Sequence, residues 1–240
     1  MPAPYINIHT HRVPETSVET DGFPSKISVL SLDSCDETGT SSPGLLYSVG
    51  IHPWSTVNAT QDPRFADEKT EELRRKLSLE PVVMIGEAGF DPFRGASIGI
   101  QREVFIRQVE LSELYRLPLV IHLVKTADEL TGIYRQTRPT QTWIIHGFRY
   151  KGEQASQLLK QGFHLSFGPR YNEESMRRAW DTGRMWLETD DTNYDIADIY
   201  GMASDTLQVP VWQIRERIYQ QAKLLFGAKI GVRSENTDKS

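Results

Sequence analysis

The chain has 240 residues and a formal net charge of −5, with 38% hydrophobic and 25% charged residues. This length and apolar content fit one globular domain with a substantial core, and a (β/α) barrel commonly has this size. The acidic balance argues against a broad basic surface for nucleic acid, although divalent cations bound at one site would supply positive charge for phosphate chemistry.

Cysteine content and hydropathy indicate the expected cellular compartment and whether a targeting or membrane segment is predicted. Cys35 is the single cysteine, which excludes an intramolecular disulfide framework and makes a reducing, cytoplasmic location the expectation. We find no basic N-terminal segment before an apolar core and no apolar run of about 18 residues, so neither a signal peptide nor a membrane span is predicted. We expect one domain over residues 1–230 and a frayed polar tail over 231–240.

The first predicted strand, residues 5–9, ends in the sequence His9-Thr10-His11. Residues i and i+2 of a strand project to the same face, so the two imidazoles would point to one place at the end of the strand. That is a metal-ligand geometry. The second and third strands are predicted over residues 26–32 and 44–49, and no helix pattern fits between these three strands.

Helix and strand patterns alternate along the rest of the chain. The predicted helices cover residues 67–79, 101–115, 127–135, 153–161, 173–181 and 211–226, and Gly227 is the stop signal of the last one. The predicted strands cover residues 81–86, 117–121, 142–145, 163–167 and 184–188. Eight strands in this order predict a TIM-type (β/α)8 barrel whose outer helices are missing or reduced after strands 1 and 2.

Residues of metal-ligand type follow the ends of five predicted strands. They are His9, His11, Glu87, His122, His146 and Asp190. Catalytic groups of such barrels lie at the carboxyl ends of the strands, so we expect these side chains to meet. Imidazoles and carboxylates suit Zn, Mn, Ni or Fe, and the carboxylates also accept Mg. A carboxylate such as Glu87 can bridge two ions about 3.5–4 Å apart, and hydrolysis is the expected chemistry.

Six motifs occur in order over nearly the whole chain. They are His9-Thr10-His11, Gly50-Ile51-His52-Pro53, Ile85-Gly86-Glu87-Ala88-Gly89-Phe90-Asp91, Leu117-Pro118-Leu119-Val120-Ile121-His122, His146-Gly147-Phe148 and Leu187-Glu188-Thr189-Asp190. Together they resemble the motifs of the TatD-related metal-dependent deoxyribonucleases of the amidohydrolase superfamily. The resemblance implies a monomeric two-metal hydrolase that acts on phosphodiesters, with single-stranded DNA or the 3′ end of DNA as its anionic substrate.

The resemblance also assigns roles to the ligand-type residues. His9, His11 and Asp190 would hold one ion, and His122 and His146 would hold the second. Glu87 would bridge the two ions. Asp190 would also orient the attacking water and accept its proton, so Asp190 and Glu87 are the catalytic candidates.

Four further residues are candidates for binding substrate. His52 matches a Gly-x-His-Pro motif whose histidine lies in the substrate mouth, or it packs in a tight turn. Lys125 and Arg149 stand in loops that depart from the family pattern, and they either clamp an oxyanion or are solvated. Asp91 either orients a neighbouring ligand or caps its loop. Trp54, beside His52, is placed to stack on a base.

Other features leave the substrate open. Asn7 stands where the family usually has an aspartate, and Glu188 and His164 are interpreted as structural. Two alternatives to a nuclease remain. One is a hydrolase of small amides, lactones or phosphoesters on the same metal site, and the other is a catalytically silent binding protein.

Overall fold

A computed structural model describes residues 2–13, 23–39, 42–60, 62 and 64–230. Its eight strands pair in parallel and in chain order to form a nearly closed barrel, which confirms the predicted TIM-type fold. The strands are β1 (Tyr5–Thr10), β2 (Lys26–Asp33), β3 (Leu45–Gly50), β4 (Val82–Phe90), β5 (Leu119–Leu123), β6 (Trp143–Ile145), β7 (His164–Phe167) and β8 (Met185–Leu187). Every residue of β3 and β4 is buried, as expected for parallel strands covered on both faces.

Helices cover the barrel from β3 onwards. They are α1 (Phe65–Leu77), α2 (Ile98–Tyr115), α3 (Ala127–Thr137), α4 (Gly152–Gln161), α5 (Glu173–Thr182), α6 (Ile196–Leu207) and α7 (Val211–Phe226). Short 3₁₀ helices occupy Pro53–Thr60 and Gly227–Ile230. No helix among the residues described is long and apolar enough to cross a membrane.

The barrel closes between β1 and the residues just after β8. The backbone N–H of His11 donates to the carbonyl of Asp190 at 3.1 Å, and the N–H of Asp190 donates to the carbonyl of His9 at 3.2 Å. On the outer side, the buried Tyr200 hydroxyl of α6 donates to Ile6 O and accepts from Ile6 N, both at 3.2 Å. The same closure that completes the sheet therefore places three of the predicted ligand residues side by side.

The structure departs from the predicted elements mainly after β8. The sequence patterns missed α6, which begins with a reciprocal capping box between Asp195 and Asp198. They also missed the 3₁₀ helix after β3. None of the described residues between β1 and β3 is helical, in agreement with the reduced outer layer. Residues 14–22 and 40–41 of these connections, and the predicted tail over 231–240, lie outside the described residues.

A half-buried histidine at the start of β7, His164, makes the stability of the barrel depend on pH. Trp186 Nε1 donates to His164 Nδ1 at 3.0 Å, so protonation of Nδ1 would break this bond. Burial, reinforced by the charge of Arg184, lowers the pKa of His164 from 6.5 to about 4. Because the unfolded chain binds the proton first, stability that is present above pH 6.5 is lost as the pH falls towards 4, by about 3 kcal/mol.

We therefore expect His164→Asn to flatten this part of the pH dependence, since the asparagine Oδ1 can accept from Trp186 and does not titrate. Urea unfolding of both proteins at pH 7.5, 5.5 and 4.5 measures the free energies of unfolding. Below pH 6.5, the free energy of unfolding should fall more steeply for the wild type than for the variant. Equal pH slopes for the two proteins would contradict the assignment.

Candidate metal centre

Six side chains from five strands meet at one mouth of the barrel. They are His9 of β1, His11 just beyond it, Glu87 of β4, His122 of β5, His146 just after β6 and Asp190 after β8. Strands β4 and β5 extend further than predicted, so Glu87 and His122 lie within strands rather than after them. Gly89, with a φ of +144°, allows β4 to approach β5 here, because a Cβ would collide with the carbonyl oxygen of His122.

Glu87 is at the centre of this cluster and is only 5% exposed. Its Oε1 lies 2.6 Å from His11 Nε2 and 3.4 Å from His9 Nε2. Its Oε2 lies 2.8 Å from His146 Nε2 and 3.1 Å from His122 Nδ1. The two oxygens of one carboxylate therefore face two different pairs of imidazoles.

Asp190 lies beside the first pair of imidazoles, and His9, His11 and Asp190 form a group of three possible ligands. Its Oδ1 lies 3.7 Å from the Nε2 atoms of both His9 and His11. The possible ligand atoms of the three residues all lie within 4.8 Å of one another. Asp190 adopts a left-handed backbone with a φ of +54°, held by its backbone bonds to β1, and this turn directs the carboxylate into the cluster.

The ionisation of the cluster follows from opposite charges packed in a buried place. Burial alone would raise the carboxyl pKa values, but the surrounding imidazoles hold the pKa of Glu87 well below its usual range and that of Asp190 at about 2. Burial and His146 oppose the protonation of His9, yet the carboxylates raise its pKa to about 9. Burial likewise lowers the pKa of His146, but Glu87 outweighs it and raises that pKa well above 6.5. Both carboxylates are thus ionised at neutral pH.

Several buried polar atoms of the cluster have no hydrogen-bond partner among the described residues. They include both ring nitrogens of His9, Nε2 of His122 and Nδ1 of His146. Buried imidazole nitrogens are normally hydrogen bonded, and Nε2 of His9, left without a partner between Glu87 and Asp190, fits a divalent cation. These residues therefore suit a metal centre, and their mixed nitrogen and oxygen donors fit Zn, Mn, Ni or Fe.

Glu188 belongs to this site, and the sequence-based structural interpretation of it was incomplete. The residue is fully buried, and its Oε1 accepts from the backbone N–H of Gly147 at 2.7 Å. The same oxygen lies 3.7 Å from Nδ1 of His146, and Oε2 has no partner in the described part of the chain. A carboxylate behind the outer nitrogen of a metal-ligating imidazole orients the ring and increases its basicity. The only sign of this role in the sequence was the position of Glu188, two residues before Asp190.

Glu188→Gln is expected to lower the affinity for divalent metal by about 10–100-fold, because the variant loses the charge behind His146. The glutamine Oε1 can still accept from Gly147, so the folded barrel should persist. Titration calorimetry of chelator-treated protein with Mn²⁺ measures the change, and Glu153→Gln on the exposed face of α4 is the matched control. Equal Mn²⁺ affinity in both variants would show that Glu188 has only a structural role.

His52 also enters the cluster, with Nε2 3.3 Å from Glu87 Oε2. Although His52, Glu87 and His122 are close enough to hold an ion, the backbone N–H of Trp54 donates to His52 Nδ1 at 3.1 Å. With Nδ1 accepting this bond, the proton of the ring is on Nε2, which presents a donor rather than a metal ligand. Asp91 is buried behind it, where Oδ2 accepts from Trp54 Nε1 at 2.7 Å and lies 3.7 Å from His122 Nε2.

The remaining two candidates lie further out. Arg149 is exposed at a second cavity beside Asp190. Lys125 lines neither this cavity nor the main one, and its ammonium lies 5.4 Å from the ring centre of Phe93. The main cavity has a volume of about 490 Å³ and opens above Glu87, with Trp54, Asp33 and Ser55 on its wall.

Asn7, at the position where an aspartate was expected, does not contact the cluster directly. Its Nδ2 donates to Thr189 Oγ1 at 2.8 Å, and its Oδ1 accepts from the N–H of Thr189 at 3.1 Å. The amide thus uses both a donor and an acceptor to tie β1 to the residue before Asp190. A carboxylate here would instead accept from both the hydroxyl and the N–H of Thr189.

The barrel and its imidazole and carboxylate cluster define a candidate metal centre at one mouth of an eight-stranded parallel barrel. A family model described as TatD related DNase matches residues 17–220, so the chain belongs to this family. The uncharacterized metal-dependent hydrolase YcfH of Escherichia coli is 29% identical over 61% of this chain and 55% of its own length. YabD of Bacillus subtilis is 32% identical over 60% and 57%. The chain thus matches little more than half the length of these curated relatives.

Solved structures agree with the fold. The hydrolase TatD family protein from Entamoeba histolytica superposes with a TM-score of 0.73 over 95% of this chain and 99% of that one, at 15% identity. A likeness at this identity supports the barrel architecture.

Proposed function

We propose that the protein hydrolyses phosphodiester bonds in DNA at a site for two divalent metal ions. The observation that carries the proposal is the placement of Glu87, whose two oxygens face His9 and His11 on one side and His122 and His146 on the other. This is the arrangement expected of a carboxylate that bridges two cations. The membership in a family described as TatD related DNase supports the choice of DNA.

Two groups of side chains would hold the two proposed ions. His9, His11 and Asp190 would hold one ion, His122 and His146 would hold the other, and Glu87 would belong to both. Ions bound here would lower the pKa of a water molecule and neutralise charge on the oxygens of the phosphoester. The metal identity depends on availability as much as on the ligands.

The side chains supply the remaining chemistry. The Asp190 carboxylate is ionised at neutral pH and partly exposed to the cavity, so it can accept the proton of the attacking water. His52 presents an N–H to the same space and can hydrogen bond to a phosphate oxygen. The Trp54 indole is 42% exposed at the rim, and its Nε1 bond to Asp91 fixes a ring on which a terminal base can stack.

One observation favours a second candidate, a hydrolase of small amides, lactones or phosphoesters. The main cavity is lined by Asp33, Asp36 and Asp191 as well as the cluster, and no lysine or arginine of the described chain lines it. An acidic wall suits a small substrate with hydrogen-bond donors better than a long polyanion. Under either candidate function, we predict a monomeric, cytoplasmic enzyme.

The test is degradation of single-stranded DNA, labelled at the 3′ or the 5′ end, by protein supplied with Mg²⁺ or Mn²⁺. Metal-dependent shortening that is lost on chelation and in Asp190→Asn is the expected result, and the two labels report the polarity. Protein that holds metal but shortens neither DNA would rule out the nuclease. Hydrolysis of nitrophenyl esters or phosphoesters by the same preparation would then support the second candidate.

A further inference from the structure

A second cavity adjoins the metal centre on the side away from Asp33 and Asp36. It lies between the loops that follow β6, β7 and β8 and has a volume of about 260 Å³. Asp190 and Asp191 line both cavities, so a group bound in the second cavity would sit next to the reacting centre. Sites for whole ligands commonly measure roughly 300–1,000 Å³, so this space suits one group of a substrate rather than the entire substrate.

Two arginines supply the positive charge of this second cavity. Arg149 follows β6 and Arg170 follows β7, and both side chains are exposed. Neither guanidinium has a hydrogen bond or ion pair with any residue that the structure describes, although three carboxylates line the same cavity. Arginine guanidiniums recognise phosphate and carboxylate groups through paired N–H donors. Both side chains are therefore free to bind an anion from outside.

The three carboxylates around the second cavity differ in how far they are free to interact with the two arginines or with an incoming anion. Glu188 is buried and accepts from Gly147 N, and Asp190 belongs to the imidazole cluster. Asp191 is exposed, and Arg12 contacts its backbone carbonyl rather than its side chain. Of the three, Asp191 is the exposed carboxylate with no side-chain contact among the described residues, so it should repel an incoming anion most.

The two cavities give the mouth of the barrel opposite polarities. Asp33 and Asp36 border the main cavity near the ends of β2 and β3, whereas Arg149 and Arg170 border the second cavity. Like charges brought together across such a surface are strongly unfavourable. A substrate with two anionic groups would therefore place the reacting one at the metal centre and the other over the ends of β6 to β8.

We infer that the second cavity is a subsite in which Arg149 and Arg170 bind a second phosphate of the substrate, adjacent to the phosphoester that is cleaved. The inference rests on the proposed phosphodiesterase function for the identity of the substrate, but the anion site itself can be tested without catalysis. Such a subsite makes the enzyme selective for phosphoesters that carry a neighbouring phosphate, as every internal linkage of a DNA strand does.

The first experiment measures binding of inorganic phosphate to chelator-treated protein by titration calorimetry. Without metal, the charges of Glu87 and Asp190 are balanced by the raised pKa values of His9 and His146, so the two arginines are the expected anion site. Arg149→Gln and Arg170→Gln should each weaken phosphate binding by about tenfold or more, and Asp191→Asn should strengthen it. Arg138→Gln, an exposed arginine at the end of α3, is the matched control and should bind phosphate as the wild type does.

The second experiment measures kcat/KM of the metal-loaded enzyme on the dinucleotides d(TpT), d(pTpT) and d(TpTp). We expect one of the two doubly phosphorylated substrates to be preferred by at least about tenfold. The two arginine variants should lose this preference, whereas the Arg138→Gln control should keep it.

The outcomes separate the subsite from the catalytic function. Phosphate binding that the arginine variants leave unchanged, or that wild type lacks altogether, would overturn the subsite even if the enzyme degrades DNA. Phosphate binding that depends on both arginines, from an enzyme that cleaves no dinucleotide and no DNA, would support the anion subsite and exclude the phosphodiesterase function.

Discussion

Glu87→Gln is expected to abolish metal-dependent hydrolysis and to leave the barrel folded. The carboxylate lies within 3.4 Å of imidazole nitrogens from His9, His11, His122 and His146, and an amide offers these groups one oxygen in place of two. A residue that stands behind a ligand already changes metal affinity by about 10–100-fold, so loss of a central ligand should reduce activity by more than about 10³-fold.

The measurement is metal content after dialysis against Mn²⁺, together with the rate of DNA or phosphoester hydrolysis. Glu110→Gln, on the exposed face of α2, removes the same charge far from the cluster and should match wild type in both. Full Mn²⁺ content and wild-type turnover in Glu87→Gln would mean that the cluster is not the metal centre.

The sequence predicted the position of this cluster because strand ends in a parallel barrel converge on one face. His9 and His11 needed only the alternation of a strand to point together. For Glu87, His122, His146 and Asp190, the argument required recognition of several separate strands, and it tolerated errors in where they ended. A strand that continues past Glu87 to Phe90 still delivers the carboxylate to the same mouth.

The features that sequence patterns missed depend on contacts between distant segments. The α6 helix contains Gly201 and begins with an aspartate pair rather than a Ser/Thr and Glu box, so its local signal was weak. Its stability comes from packing, including the buried Tyr200 hydroxyl bonded to the backbone of β1. Periodicity along one segment carries no information about such a contact.

The role of Glu188 was missed for a similar reason. Its carboxylate reaches the site through Gly147 and His146, which follow a different strand. The pairing of Asn7 with Thr189 likewise joins the two ends of the barrel. The sequence identified residues that reach the centre by strand geometry alone, whereas those that support them became visible only through the packing of β1, β6 and β8.

Asp190→Asn is expected to lower the rate of hydrolysis by about 10²–10⁴-fold, the range for loss of a proton acceptor. The pKa of Asp190 is about 2, so the wild-type carboxylate is ionised across the neutral range, whereas an amide cannot accept the proton of water. Asparagine also tolerates the left-handed φ of +54° found here, and the backbone bonds to His9 and His11 do not involve the side chain.

Asp190→Ala provides the comparison that separates chemistry from backbone strain. Alanine removes the same carboxylate but is disfavoured in the left-handed region, so it should be less stable than the asparagine variant in urea unfolding while both lack activity. Asp181→Asn, at the exposed end of α5, should retain wild-type rate and stability. Full activity in Asp190→Asn would assign proton acceptance to another group and leave Asp190 only the role of holding β1 against the residues after β8.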